Sequence, residues 1–310
     1  MAIGKGSAST EGFERKLYEG IASCKILAVN PTAKEIEKYR GFLPKEEPVY
    51  LTETEIDGKT VKQLRLEFLL QINPEKYVDS KGEMINAVIP MSMFLRYMKR
   101  VGRNSGKTQI MDNYARTAWA TEAELASHSI PQNSDGPARI DSNYHIVADG
   151  EAELCNLLQS FICIKTVEKW EKDAEGKNIY KGLKDNPADY ECYINDVQKL
   201  FTGNISEIKE DLSLFPDNEV KVLFYVRKAD DGKLYQGVYT SEFMKNYVKP
   251  KDYTKFANRV LDSQNAGSNP NVEFYFNELR EYSVKPTEFK ENTSIEFPEV
   301  GTAPAKLPWE

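Results

Sequence analysis

Val49-Tyr-Leu-Thr-Glu-Thr-Glu-Ile-Asp57-Gly58-Lys59-Thr-Val-Lys-Gln-Leu64-Arg-Leu66-Glu-Phe68-Leu-Leu70-Gln-Ile72 reads as two extended arms around a turn. Asp57-Gly58 is the turn signal, joining residues 49–55 to residues 59–72. In the second arm Leu64, Leu66, Phe68 and Leu70 alternate with Gln63, Arg65 and Glu67. A period of two places each set on its own face, so this arm is a strand with one face buried. A hairpin of that kind anchors a sheet, and the flanking sequence supplies its neighbours.

Upstream, residues 21–29 form a first strand, stopped by Asn30-Pro31. Thr32 is an N-cap for a short helix over residues 33–39, with Glu35 completing a capping box and Gly41 ending it. Downstream, residues 84–90 read as a strand that precedes a basic stretch, and residues 108–120 return to the sheet. Several strands with a short helix between them suit a small, strongly curved barrel. Residues 127–143, rich in Ser, Asn, Asp, Gly and Pro, are a loop. Asp149 then caps a helix carrying Glu151 and Glu153 in its first turn, followed by the apolar stripe Leu154, Leu157, Leu158, Phe161 and Ile162. Further helices over 187–201 and 206–212 make residues 149–214 a helical block interrupting a β-rich protein.

Strands resume at 220–228 and 234–240, around Asp230-Asp231-Gly232. A helix at 253–261, a loop at 265–271 and a strand at 272–276 follow. From about residue 285 the prolines Pro286, Pro298, Pro304 and Pro308 block regular structure, and residues 288–310 carry five acids against two lysines. The expected class is α+β: a flexible lead over 1–12, one β-rich domain over 13–284 with a helical insertion, and a flexible acidic tail over 285–310.

Composition narrows the function. The chain has 310 residues, 40% hydrophobic and 29% charged, ordinary values for a globular protein. No apolar run approaches the roughly 18–20 residues of a membrane helix, and the polar first ten residues offer no signal peptide. A cytoplasmic protein without a membrane partner is expected. Cys24, Cys155, Cys163 and Cys192 form no CxxC pair, so neither a zinc site nor a disulfide framework is suggested. His128 and His145 are the only histidines and stand apart in polar surroundings. With no metal-ligand spacing and no identifiable acid–base pair, an enzyme and a cofactor are not expected.

One segment stands out by charge. Residues 94–119 hold Arg96, Lys99, Arg100, Arg103, Lys107 and Arg116 against Asp112 alone, a local charge of +5. The rest of the chain, whose net charge is −7, therefore carries −12. Cations on such a segment neutralise phosphates and release counterions. Tyr97, Tyr114 and Trp119 can stack on exposed bases. The plainer reading is a helix with Phe94, Tyr97 and Met98 buried and Arg96, Lys99 and Arg100 solvated. Trp119, between two alanines, reads as core.

Gly102-Arg-Asn-Ser-Gly106-Lys107-Thr108 resembles a P-loop but places three residues between its glycines where that motif needs four. A second aromatic face depends on the turn at 230–232. A three-residue loop with a left-handed Gly232 pairs Arg227 with Tyr235, Tyr225 with Gly237 and Leu223 with Tyr239. Tyr225, Arg227, Tyr235 and Tyr239 then share a face suited to stacking. A two-residue loop puts Tyr225 and Tyr235 on opposite sides. The terminal Leu307-Pro308-Trp309-Glu310 reads either as a partner-binding anchor or as an ordinary chain end.

Three stretches carry a resemblance. They are Gly12-Phe-Glu-Arg-Lys-Leu-Tyr-Glu-Gly-Ile-Ala-Ser-Cys-Lys-Ile-Leu-Ala-Val-Asn-Pro31, Gly150-Glu-Ala-Glu-Leu154 with its helix, and Val220-Lys-Val-Leu-Phe-Tyr-Val-Arg-Lys-Ala-Asp-Asp-Gly-Lys-Leu-Tyr235. In this order they resemble the single-stranded DNA-binding proteins of tailed bacteriophages, particularly crAss-like phages. The resemblance implies an OB-fold-like barrel that coats single-stranded DNA during replication or recombination in the cytoplasm of an infected bacterial host. It also implies replication or recombination proteins as partners of the tail through Leu307, Trp309 and Glu310. The alternative is a phage virion structural or cargo protein with a basic patch.

Overall fold

The protein is described by a computed structural model covering residues 16–112, 116–131, 140–167, 170–172, 174–176, 178–180, 196–213, 219–229, 232–244, 251, 253–267 and 272–282. The tail over 285–310 and the lead over 1–12 lie outside these residues, as do Tyr114 and residues 187–195.

The opening hairpin is strand β2, Leu51–Ile56, paired to β3, Lys59–Ile72. Its two turn residues take positive φ, +51° at Asp57 and +72° at Gly58, a twist that matches the flanking strands. Leu64, Leu66, Phe68, Leu70 and Ile72 are buried in one cluster, as the alternation requires. Strand β1, Leu17–Val29, pairs with β3 through its second half. Helix α1, Ala33–Arg40, follows with the Thr32–Glu35 capping box formed and Gly41 left-handed at its end.

Strand β4, Val88–Lys99, pairs along β3. The expected strand over 84–90 is thus displaced, and the basic stretch begins within its second half, at Arg96 and Lys99, and runs on into the loop that follows. Strands β5, Thr108–Asp112, and β6, Thr117–Ala120, do not rejoin the main sheet. With β7, Tyr144–Ile146, they form a separate three-stranded sheet. Between β6 and β7 lies helix α2, Glu122–Ala126, which has its own capping box, Thr121 with Glu124.

The two-residue strand β8, Ala148–Asp149, pairs with β4 and leads into helix α3, Glu151–Val167. The helical block also contains a small hairpin, β9, Trp170–Lys172, with β10, Asn178–Tyr180. Short helices α4, Val197–Leu200, and α5, Ser206–Ser213, close the block. Strands β11, Glu219–Lys228, and β12, Leu234–Met244, then form the second long hairpin. Helix α6, Tyr253–Gly267, runs further than expected. Residues 272–276, expected as a strand, have no ladder. Further on, β13, Arg280–Tyr282, adds to β1.

The main sheet runs β12-β11-β1-β3-β4-β8, with β2 and β13 added beside β3 and β1, and every strand pairing is antiparallel. It curls into a half-barrel. Leu154, Cys155, Leu157 and Leu158 of α3 are buried in one cluster with Leu66, Phe68, Met91, Leu95, Val222 and Phe224 of the strands. The helical block therefore completes the main core, each fully buried side chain contributing roughly 1.5–3 kcal/mol. A second, smaller cluster joins Ile21, Leu223 and Met244 to Tyr253, Phe256 and Val260 of α6. Cys155 is disulfide-bonded, a link that the cysteine spacing does not suggest.

Candidate nucleic-acid interface

Along β4 the side chains alternate. Met91, Met93 and Leu95 are buried and Phe94 is 44% exposed on the other face, but the alternation fails near the register shift after Arg96, where Tyr97, in phase with the buried set, is 51% exposed. The helix reading of this segment is therefore overturned: Phe94 and Tyr97 are not the buried side of a helix. Tyr97 rests edge-on against Phe201, with ring centroids 5.2 Å apart.

The start of α3 closes against the far end of this strand. A Cβ built at Gly150 would overlap the Phe94 carbonyl oxygen, so only glycine allows this approach. Asp149, expected to cap the helix, turns its carboxylate to the Arg96 Nη1 at 2.7 Å, and Gln63 accepts from Arg96 Nε at 3.0 Å. Arg100 donates to Glu153 at 2.5 Å. Between them the buried Glu151 carboxylate accepts the Ala148 N–H at 2.8 Å and meets His145 Nε2 at 2.6 Å. The hydrogen bond to Glu151 raises the His145 pKa, against the opposing effect of burial. His145 is thus not isolated. Acids at three alternating positions, 149, 151 and 153, each hold one basic side chain.

Arg116 is paired as well, its Nε and Nη2 both 2.7 Å from the buried Asp112 Oδ2. Lys99 stands 3.7 Å from the exposed Glu122, a surface pair worth little. Much of the +5 read along residues 94–119 is therefore balanced in place. Arg103 and Lys107 differ, for neither makes an ion pair among the described residues.

Both lie in the loop between β4 and β5. The Gly102 N–H donates to the Lys107 carbonyl and the Gly106 N–H to the Gly102 carbonyl, each at 2.9 Å. The loop thus joins two antiparallel strands, unlike a P-loop, which leads from a strand into a helix. Trp119 is not core. Ala118 and Ala120 are buried on one face of β6, so the indole between them points the other way and is 37% exposed. Its ring covers Gly102, where an added Cβ would stand 3.3 Å from Cζ3. An exposed aromatic ring thus flanks the loop that carries Arg103 and Lys107. The Ala-Trp-Ala alternation is the signal for this, and it points outward once the segment is read as a strand.

On the other hairpin, Ala229 and Lys233 close a three-residue loop with Gly232 at φ +79°. Arg227 pairs with Tyr235, Tyr225 with Gly237 and Leu223 with Tyr239, so the tyrosines share one face. That face is partly roofed. Phe274 stands edge-on to Tyr225 and to Tyr239, both at 5.4 Å, and Leu223 is fully buried. Burial raises the Tyr225 phenol pKa. Tyr235 stays 38% exposed, with the Arg227 guanidinium 5.9 Å from its ring centroid.

Among the described residues no group of three His, Cys, Asp or Glu could hold a metal ion, and no helix is long and apolar enough to cross a membrane. Leu307, Trp309 and Glu310 lie outside the described residues. No protein-family model, curated protein or solved structure matches the chain.

Proposed function

We propose that this chain is a non-catalytic single-stranded DNA-binding protein, of the kind its sequence resembles in tailed bacteriophages, and that it coats strands exposed in replication or recombination. One observation carries the reading. The loop between β4 and β5 holds Arg103 and Lys107, which make no ion pair among the described residues, beside the open face of Trp119. The two cations neutralise phosphates, and the indole stacks on a base whatever its identity. Tyr97 and Lys99, exposed toward the end of β4, add to the surface, and Tyr235 with Arg227 offers a second one. Arg96, Arg100 and Arg116 serve chiefly to fix α3 and β5–β6, since each already holds a carboxylate.

Titrating a labelled oligo-dT strand by fluorescence anisotropy tests this. Affinity falls steeply as salt rises, in proportion to the phosphates contacted. Absence of binding at low salt would remove the reading.

A further inference from the structure

A cleft of about 220 Å³ opens between β12, α6 and residues 272–274. Its walls include the rings of Tyr225, Tyr239 and Phe274, and Thr240, Ser263 and Gln264 supply hydroxyl and amide groups. None of its described lining residues is charged. The volume falls below the roughly 300–1,000 Å³ of pockets that hold drug-sized ligands, so the occupant is a single ring system. An uncharged lining offers no counter-charge to a phosphate or carboxylate. A purely hydrocarbon ring would set the Thr240 and Ser263 hydroxyls against an apolar surface, which is costly in a desolvated cleft.

A nucleobase satisfies both conditions, being planar for the aromatic walls and edged with donors and acceptors. Hydroxyls both donate and accept, so the cleft tolerates different bases. On the same face, one pleat beyond Tyr225, stands Arg227 beside the exposed Tyr235. A base inserted next to Tyr225 leaves its phosphate within the field of that guanidinium. Gly237 contributes by its missing side chain. The Tyr225 ring lies over it so closely that an added Cβ would overlap Cζ.

We infer that this cleft is a base-insertion subsite, taking one nucleobase of a bound single strand against the wall formed by the packed rings of Tyr225, Tyr239 and Phe274, while Arg227 holds the adjoining phosphate. This rests on the single-strand reading above and adds a second point of attachment, separate from the loop that carries Arg103 and Lys107.

The experiment is photo-crosslinking of the full chain to an oligo-dT strand with 5-iodouracil in place of thymine, followed by peptide mapping, with an anisotropy titration of the same strand in parallel. Adducts on Tyr225, Tyr239 or Phe274 are expected. Binding with adducts confined to other regions, such as Trp119 or Tyr97, overturns the subsite and leaves the single-strand reading standing. No binding in the titration overturns both. A Ser263→Phe variant, which fills the cleft, binds oligo-dT about tenfold more weakly, the loss of roughly one stacked base, while an abasic strand of equal length binds both proteins alike. Should that variant fail to fold, the crosslink map on the unaltered chain decides alone.

Discussion

The basic end of β4 and the tyrosine ribbon of β11–β12 look alike in sequence, each a strand bearing rings and cations, yet they are built differently. At β4 most of the charge is occupied internally, because β8 brings Asp149 against Arg96 and the first turn of α3 brings Glu153 against Arg100. What remains open there is the loop after the strand. On the tyrosine ribbon most of the aromatic surface is taken up, by Phe274 and α6, leaving a cleft and one exposed pair. Charge counted along a sequence overstates free charge when counter-ions arrive from some fifty residues away. Rings counted along a strand overstate open surface in the same manner.

The comparison can be broken most severely where α3 seals β4. Gly150→Ala puts a Cβ against the Phe94 carbonyl at a residue with φ +89°, and stability should fall by about 3 kcal/mol or more in chemical denaturation. A variant of unchanged midpoint would mean that α3 does not close on the strand as described. Trp119→Ala should weaken oligo-dT binding by roughly 1–3 kcal/mol with little change in stability, since the ring stands partly outside the core. A smaller effect separates the loop cations, of which Lys107 acts on Glu124 only at longer range, from the ion-paired ones. Replacing Arg103 and Lys107 by alanine should lower the slope of log affinity against log salt by about 1.4, roughly 0.7 for each single-strand phosphate that is no longer neutralised. Replacing Arg96 should instead show up in folding. A double-mutant cycle with Asp149 gives a coupling of about 0.5–1 kcal/mol for a pair whose members each expose about a third of their side chains.

The least effect concerns pH. His145 has a raised pKa in the folded protein through Glu151, so its contribution to stability is fully present below the unfolded value of about 6.5. That contribution is lost as pH rises through the folded value. Unfolding measured from about pH 6 to pH 9 should show this decline in the parent chain and not in His145→Gln. A parallel decline in both would assign the pH dependence to another group.

Features set by neighbouring residues are legible in the sequence. The Thr32–Glu35 capping box, the Asp57-Gly58 turn, the alternation through Leu64–Leu70 and the register of Tyr225 with Gly237 each follow from a few adjacent side chains. The Thr121–Glu124 capping box that opens α2 is equally local. Where long-range packing decides, the reading fails. Strand β4 looks helical past Phe94 because its outward residues are aromatic and basic, and only pairing with β3 fixes them. Residues 272–276 alternate as a strand would, and Val272, Phe274 and Phe276 do pack inward around α6, but no neighbouring strand pairs with them. Asp149 reads as a cap until the distant Arg96 claims its carboxylate. For the candidate site, the cations and the indole are plain in the sequence. Which cations are already paired is not.

Competition between strands tests single-strand binding most directly. With labelled oligo-dT bound to the full chain at fixed salt, unlabelled oligo-dT should displace it at lower concentration than a duplex of equal length, because only unpaired bases present faces for stacking. Displacement by the duplex at equal or lower concentration would contradict it, leaving the cations around Arg103 and Lys107 as a general attraction for phosphate.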